Sequence, residues 1–197
     1  MVSRPIVGKR SASRRAMGGT SMVEVLVTLV IIAFGLLGIS GMHLRLQTVE
    51  LESYQRSQAL LLLNDMANRV MTNRSMAASY VTGSANPLGA GMSCPTSTTS
   101  VVQRDLNEWC NALQGASETT TTGGVTTKVG VMVGGRGCVE TVGSDYLITV
   151  AWQGMGAVSA PPTSVACGQG SYNTAGTACV NDACRRVVTT VVRMATL

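Results

Sequence analysis

The chain has 197 residues, which leaves room for one long helix and one globular domain of modest size. Its formal net charge of +5 comes from fifteen Lys and Arg residues against ten Asp and Glu residues. Five of the basic residues lie in residues 1–19, which contain no acid: Arg4, Lys9, Arg10, Arg14 and Arg15. Residues 20–197 are therefore formally neutral, and this argues against a nucleic-acid partner.

A long apolar helix is predicted directly after this basic segment. No proline occurs between Met22 and Arg74, so one continuous helix is predicted there. Its residues from Val25 to Met42 carry no charge, and a run of this length and composition can span a membrane. Because basic flanking residues stay on the cytoplasmic side, residues 1–19 are expected in the cytoplasm and the C-terminal bulk across the membrane. An ordinary secretory signal would need a small-residue cleavage site after the apolar run, and residues 40–45 offer none that is convincing.

One acid, Glu24, lies near the start of this apolar helix. A plain membrane anchor has no need of a carboxylate there, because a charge in hydrocarbon is costly and usually functional. The alternative is an acid at the membrane interface that faces the lipid headgroups. Glu24 is therefore the strongest single candidate for a functional residue.

The same helix contains Gly35, Gly38 and Gly41 at every third position. Each glycine costs about 1 kcal/mol relative to alanine in an ordinary helix interior. One interpretation is close contact between helices through small residues in the membrane. From Arg45 onward the helix becomes amphipathic, with an apolar side for a domain to pack against. The apolar residues of this second half are Leu46, Val49, Tyr54, Leu60, Leu61, Leu63, Val70 and Met71.

A head of mixed helix and strand is predicted beyond the long helix. Residues 79–100 are rich in Gly, Ser, Thr, Asn and Pro and are predicted to be a loop, as are residues 117–124, which contain four consecutive threonines. Residues 101–114 between them have helical spacing. Strands are predicted at residues 125–133, 137–142, 145–153 and 186–196, of which 145–153 alternates like a half-buried strand. Trp109 and Trp152 are expected in the core, and Arg185 and Arg186 at a solvated strand start. The predicted fold class is α+β, a helical spine against an antiparallel sheet of about four strands.

Six cysteines lie beyond the apolar helix: Cys94, Cys110, Cys138, Cys167, Cys179 and Cys184. An even number on the exported side indicates disulfide bonds in an oxidising compartment. Six cysteines allow 15 pairings, and the sequence does not choose among them. We prefer Cys94 with Cys110 and Cys167 with Cys184, which leaves Cys138 with Cys179.

Metal, cofactor and enzyme chemistry are not expected. Zinc is disfavoured because no C-x-x-C pair exists and the only histidine, His43, lies at the membrane end of the helix. A nucleophilic triad would need a usable base, which this histidine does not supply. The chain is therefore predicted to be a non-enzyme without a cofactor.

Residues 18–24, GGTSMVE, resemble the class III signal of type IV prepilins. That signal is a short basic leader, a glycine, and then an apolar helix with glutamate at the fifth position after the cut. The apolar run that follows is similar to the N-terminal helix of PilV-type minor pilins. Residues 146–153 and 185–190 resemble later segments of the same family, whereas the middle of the chain carries little family signal.

The resemblance implies a pilin-like fold and a division of the chain. Residues 1–19 would be the prepilin leader, 20–43 the transmembrane and assembly half of the helix, 44–75 its amphipathic half, and 76–197 a periplasmic head with disulfide-bonded loops. Prepilin peptidase would cut between Gly19 and Thr20, with or without methylation of the new amine. Glu24 would neutralise the amine of a neighbouring subunit in the fibre. The three glycines would ease a local loss of helix on fibre packing.

The function implied is that of a minor pilin that primes type IV pilus assembly within a tip complex. Its partners would be other minor pilins, the major pilin, the inner-membrane assembly platform and prepilin peptidase, with a tip adhesin as a further candidate. The protein would be a single-pass inner-membrane protein with a periplasmic head, and then part of a fimbrium at the cell surface. Two alternatives stay open: a minor pseudopilin of a type II secretion system, and an unprocessed membrane-anchored binding domain.

Overall fold

The computed structural model describes residues 21–116, 118–128, 130 and 132–194. The predicted leader and the predicted cleavage pair, Gly19 and Thr20, lie outside the described residues. The chain divides into two compact units, one ending at Arg45 and the other beginning at Leu46. Helix α1, Met22–Thr72, contributes to both units.

The second unit contains the rest of helix α1 and all the strands. After α1 follow a 3-10 helix, Arg74–Tyr80; strand β1, Leu88–Gly89; helix α2, Val101–Leu113; and strands β2, Thr119–Thr122, β3, Val125–Lys128, β4, Arg136–Val142, β5, Asp145–Gln153, and β6, Arg185–Val192. Strands β1, β4, β5 and β6 form one antiparallel sheet in the order β1-β4-β5-β6. Strands β2 and β3 form a separate hairpin. The protein is thus of the α+β class, with a long N-terminal helix packed on an antiparallel sheet.

The core lies between the helices and one face of this sheet. Helix α1 buries Ala59, Leu63, Met66 and Val70, which recur at helical spacing and therefore share one face. The predicted apolar side of α1 is mostly wrong, since only two of its members, Leu63 and Val70, are buried. The other six are exposed: Leu46, Val49, Tyr54, Leu60, Leu61 and Met71. Apolar residues lie on all sides of this half of the helix, so their spacing alone could not predict which face is buried. The buried face is the one on which small residues such as Ala59 let the sheet pack closely.

Helix α2 packs against the same core, and it begins with a capping box. The Ser100 hydroxyl accepts from the Gln103 backbone N–H, and the Gln103 side chain accepts from the Ser100 backbone N–H. Trp109 is fully buried, and its Nε1 donates to the Leu62 carbonyl of α1 at 2.9 Å. A Cβ atom at Gly137 would lie 2.2 Å from the Trp109 ring, so strand β4 must carry glycine there. The prediction of Trp109 and Trp152 as core residues is confirmed.

Strand β5 is buried on both faces, which corrects the prediction of a half-buried strand. Its residues from Ile148 to Trp152 are all buried. Residues on one face meet the helices, whereas Thr149 and Ala151 face the other way. The segment between β5 and β6 covers that second face, where Gly168 lies close to both Ala151 and the Tyr172 ring. Alternation along β5 could not reveal this cover because it comes from residues far along the chain.

The threonine-rich segment predicted as a loop is instead a strand. Thr119–Thr122 pairs with Val125–Lys128 across Gly123 and Gly124, whose φ angles are +61° and +80°. Two successive residues with positive φ form the tight turn that suits a two-residue hairpin. The predicted strand at residues 125–133 therefore ends at Lys128 and stays outside the main sheet. The two-residue strand β1 takes the fourth place in that sheet.

All six cysteines form disulfides, with Cα separations of 5.1 to 5.9 Å. The preferred Cys94–Cys110 pair is confirmed, but the other two predicted pairs are wrong. Cys138 pairs with Cys167, and Cys179 pairs with Cys184. The short pair becomes possible because Asn181 and Asp182 adopt positive φ angles of +52° and +61°, so the chain turns tightly between its two cysteines. Cys138 on β4 is then left to hold the covering segment against the second face of the sheet.

Candidate assembly surface

The first unit presents an apolar helical surface, residues 22–43 of α1, which is named here the assembly helix. Every side chain in this range is exposed within the chain, including Phe34 at 71%. Glu24 is its only Asp, Glu, Lys or Arg residue. By length and composition this is a helix that can cross a membrane. Large apolar side chains in such number indicate a surface that is covered by lipid or by other proteins.

The start of the assembly helix is capped by Ser21. The Ser21 hydroxyl accepts from the Val23 backbone N–H at 3.4 Å, and the Ser21 carbonyl accepts from the backbone N–H of Glu24 at 3.0 Å and of Val25 at 3.2 Å. Glu24 thus lies in the first turn, where the helix dipole favours a negative charge. Among the described residues its carboxylate has no ion-pair or hydrogen-bond partner, so a cation from outside the described chain can approach it.

The hydroxyl group of Thr28 is satisfied within the helix. It donates to the Val25 carbonyl at 2.8 Å, a bond that lets a hydroxyl enter an apolar environment without an unpaired donor. Glu24 is therefore the only formally charged group that the assembly helix would carry into such an environment.

Gly35, Gly38 and Gly41 have open space where a side chain would begin. A Cβ atom added at any of them meets nothing within 4 Å outside the helix itself. Contacts within the described chain therefore give no reason for glycine at these positions. Close approach of another helix and local loss of helix both remain as explanations, and both act between molecules.

All six cysteines belong to the second unit, whereas Glu24 belongs to the first. Among the described residues, no group of three or more His, Cys, Asp or Glu side chains is arranged to hold a metal ion. His43 is an exposed residue of α1. The surface is thus defined by apolar area, one carboxylate and three glycines.

The sequence did not indicate an ion-pair network that joins α1 to α2. The Arg69 guanidinium contacts Asp65 at 3.0 Å, Asp105 at 2.8 Å and Glu108 at 2.7 Å. Burial lowers the pKa of Arg69, but the hydrogen bonds to these three carboxylates together raise that pKa above its ordinary value. Tyr80 donates its hydroxyl to Asp105, and burial followed by this bond raises the pKa of Tyr80. The network fixes the second unit and contributes no reactive group.

The pair of arginines at the start of β6 is also not solvated, contrary to the prediction. The Arg185 side chain is 1% exposed, forms an ion pair with Asp182 at 3.3 Å and donates to the carbonyls of Val165 and Cys167. The Arg186 Nε donates to the Glu52 carboxylate of α1 at 2.6 Å. Each arginine therefore holds a different layer against the sheet. The only sequence signal for this was that two charged residues begin an otherwise uncharged strand.

Comparison with protein-family models, curated proteins and solved structures finds no match to this chain.

Proposed function

We propose that this protein is a minor pilin of the PilV type that primes type IV pilus assembly within a minor-pilin tip complex. The observation that carries the proposal is the assembly helix, a fully exposed apolar helix whose one charge is a carboxylate in its first turn. The resemblance of residues 18–24 to a prepilin signal supports a role for that carboxylate in pairing with the amine of a neighbouring subunit. In this proposal the precursor is a single-pass inner-membrane protein that prepilin peptidase cleaves after Gly19.

The assembly step transfers the helix from lipid to the apolar centre of a fibre. Lipid tails and a fibre core are similarly apolar, so burial alone gives little driving force for this transfer. Close helix packing and charge pairing must therefore supply the difference. Glu24 paired with the Thr20 amine of a neighbouring subunit would satisfy two charges at once, whereas either charge left alone in the core is strongly unfavourable.

The second unit would supply partner choice. Its three disulfides and its sheet remain outside the membrane in this proposal, where they meet the other minor pilins, the major pilin, the assembly platform and a tip adhesin. The role is structural, so no reaction and no cofactor is assigned to the chain.

The first experiment is the mass of the native, membrane-extracted protein. A chain that begins at Thr20, with or without one added methyl group, is expected. An intact leader, or a chain cut after residue 40, would overturn the proposal in favour of an anchored or secreted domain.

The second experiment compares Glu24→Ala with the matched control Glu50→Ala. Glu50 is an exposed glutamate of the same helix, with no hydrogen bond or ion pair among the described residues. Losing one partner of a buried ion pair costs about 3–5 kcal/mol, so incorporation of Glu24→Ala into sheared fibres should fall by roughly 100-fold or more. Both variants should be cleaved and stable in the membrane. Normal incorporation of Glu24→Ala would refute the assigned role of this residue.

A minor pseudopilin would share these N-terminal features, so the two functions are distinguished by where the protein is found. Recovery of the wild-type protein with sheared surface fibres supports the pilus role, whereas its absence from fibres together with a defect in protein secretion on deletion would support the secretion role.

A further inference from the structure

The sheet of the second unit has one long open edge, strand β6. The sheet order is β1-β4-β5-β6, so β6 pairs with β5 on one side only. Among the described residues, no segment pairs with its outer side. The opposite edge of the sheet is the two-residue strand β1, whereas β6 is eight residues long.

The register shows which backbone groups face outward from β6. Gly154 donates its backbone N–H to the Cys184 carbonyl at 2.8 Å, immediately beyond the paired residues Gln153 and Arg185. Hydrogen-bonded pairs alternate along an antiparallel ladder, so the backbone groups of Val187, Thr189 and Val191 point away from β5. None of their N–H or C=O groups has a hydrogen-bond partner in the described part of the chain.

This edge lacks the features that usually prevent pairing with another chain. Proteins protect open edges with proline, lysine, a bulge or a short strand. Residues 185–192, RRVVTTVV, contain no proline, glycine or lysine, and their pairing with β5 is continuous. The two arginines do not protect the edge because their side chains are engaged with Asp182 and Glu52. Thr189 and Val191 are exposed, Val191 at 50%.

A groove of about 460 Å³ lies beside the first residues of this edge, between β6 and helix α1. It is lined by Val49, Glu52, Ser53, Arg56, Trp152, Arg186 and Val187. Arg56 has no hydrogen bond or ion pair among the described residues, whereas Arg186 and Glu52 neutralise each other. Trp152 carries a buried indole N–H that likewise lacks an acceptor in the described chain. The lining therefore has one excess positive charge and unused donors, which suit an anionic acceptor.

We infer that β6 is a docking edge for an extended segment of another protein, which adds as a fifth strand and places a carboxylate side chain in this groove. Strand addition would satisfy the outward groups of Val187, Thr189 and Val191. Alternate side chains of an added strand lie on the α1 face of the sheet, and those nearest the start of β6 enter the groove beside Arg56.

A second copy of this chain is a poor occupant of the same edge. Residues 185–193 contain no acid, so pairing β6 with another β6 would leave Arg56 without a carboxylate. The edge is available whether or not the N-terminal helix belongs to a pilin, so the inference does not depend on the proposed function.

The test uses the full chain in detergent micelles and capped eight-residue peptides of alternating valine and threonine. One aspartate is placed near the amino end in one peptide and near the carboxyl end in a second, because the direction of the added strand is open. Fluorescence anisotropy of the labelled peptides measures binding. At least one of them is expected to bind at micromolar to submillimolar concentration.

Two matched pairs separate strand addition from other binding. Thr189→Pro removes an outward N–H and should weaken binding by about tenfold or more, whereas Thr189→Val should leave it within about twofold. A peptide N-methylated at alternate residues tests the same bonds without altering the protein, so it stays decisive if Thr189→Pro fails to fold. Arg56→Gln in the protein and aspartate to asparagine in the peptide should each weaken binding by about fivefold.

Three outcomes would overturn the inference. The first is that neither peptide binds at about 1 mM, where strand addition should be measurable. The second is that the N-methylated peptide binds as tightly as the unmethylated one. The third is that the wild-type chain self-associates and that Thr189→Pro abolishes this self-association. The last result would assign the edge to a second copy.

Discussion

Replacing Arg185 with methionine should destabilise the second unit more than any other single charge removal on the sheet. The Arg185 side chain is 1% exposed and lies 3.3 Å from the carboxylate of Asp182, which is itself only 10% exposed. It also donates to the Val165 carbonyl at 2.6 Å and to the Cys167 carbonyl at 3.1 Å. These contacts hold the segment between β5 and β6 against the second face of the sheet.

The expected loss in the free energy of unfolding is about 3–5 kcal/mol, because removing one partner leaves a buried charge without compensation. Asp182 keeps one hydrogen bond, since its Oδ1 accepts from the Gly170 N–H at 2.7 Å, and this places the expected loss toward the lower end. The double variant Arg185→Met with Asp182→Asn should be more stable than the sum of the two single losses predicts, since it leaves no unpaired charge.

The assay is denaturant unfolding of the full chain in detergent with its disulfides intact, followed by tryptophan fluorescence. The matched control is Arg186→Met, whose ion-pair partner Glu52 is 38% exposed, so its loss should be only about 1–2 kcal/mol. A loss below about 1 kcal/mol for Arg185→Met, or equal losses for the two arginines, would refute the reasoning from burial.

Three further predictions concern the helix, the disulfides and the pH dependence of stability. Changing Gly35, Gly38 and Gly41 together to alanine should favour the helix by about 1 kcal/mol per site, yet reduce incorporation into fibres; normal incorporation would show that the glycines have no intermolecular role. Replacing both cysteines of a disulfide with alanine should lower the free energy of unfolding by about 3.6 kcal/mol for Cys138–Cys167, about 3.1 kcal/mol for Cys94–Cys110 and about 2 kcal/mol for Cys179–Cys184. Denaturant unfolding measures these losses, and a reversed order would contradict an origin in loop entropy. Burial raises the pKa of both Tyr80 and Tyr172, so the stability they confer is complete below about pH 10 and is lost as the pH rises through their folded-state values. The free energy of unfolding, measured from pH 8.5 to 11, should fall more steeply in the wild type than in the double variant Tyr80→Phe/Tyr172→Phe. Equal slopes would show that these two tyrosines do not cause the loss of stability at high pH.

Local patterns predicted the elements whose determinants lie close together in sequence. The absence of proline predicted helix α1, and the spacing around Trp109 predicted helix α2 to within one residue. The span of strand β5, Asp145–Gln153, was also correct, because β-forming residues are bounded there by turn residues. Of the assembly surface, Glu24 and the three glycines could be singled out from sequence, since a charge or a glycine in an apolar helix stands out against its neighbours.

Several of the incorrect predictions have a different cause, since they depend on what a distant segment covers, whereas the threonine hairpin and the Cys179–Cys184 pair depend on tight turns at residues with positive φ. Arg185 reads as solvated in its own strand, yet it is buried because residues 165–182 lie over it. The pairing of Cys138 depended on the same segment, which brings Cys167 beneath the sheet. This dependence also explains why the open edge of β6 could not be read from its sequence. An apolar strand with two arginines fits the middle of a sheet as well as its edge, and only the strand order leaves the outward backbone groups of Val187, Thr189 and Val191 without partners in the described chain.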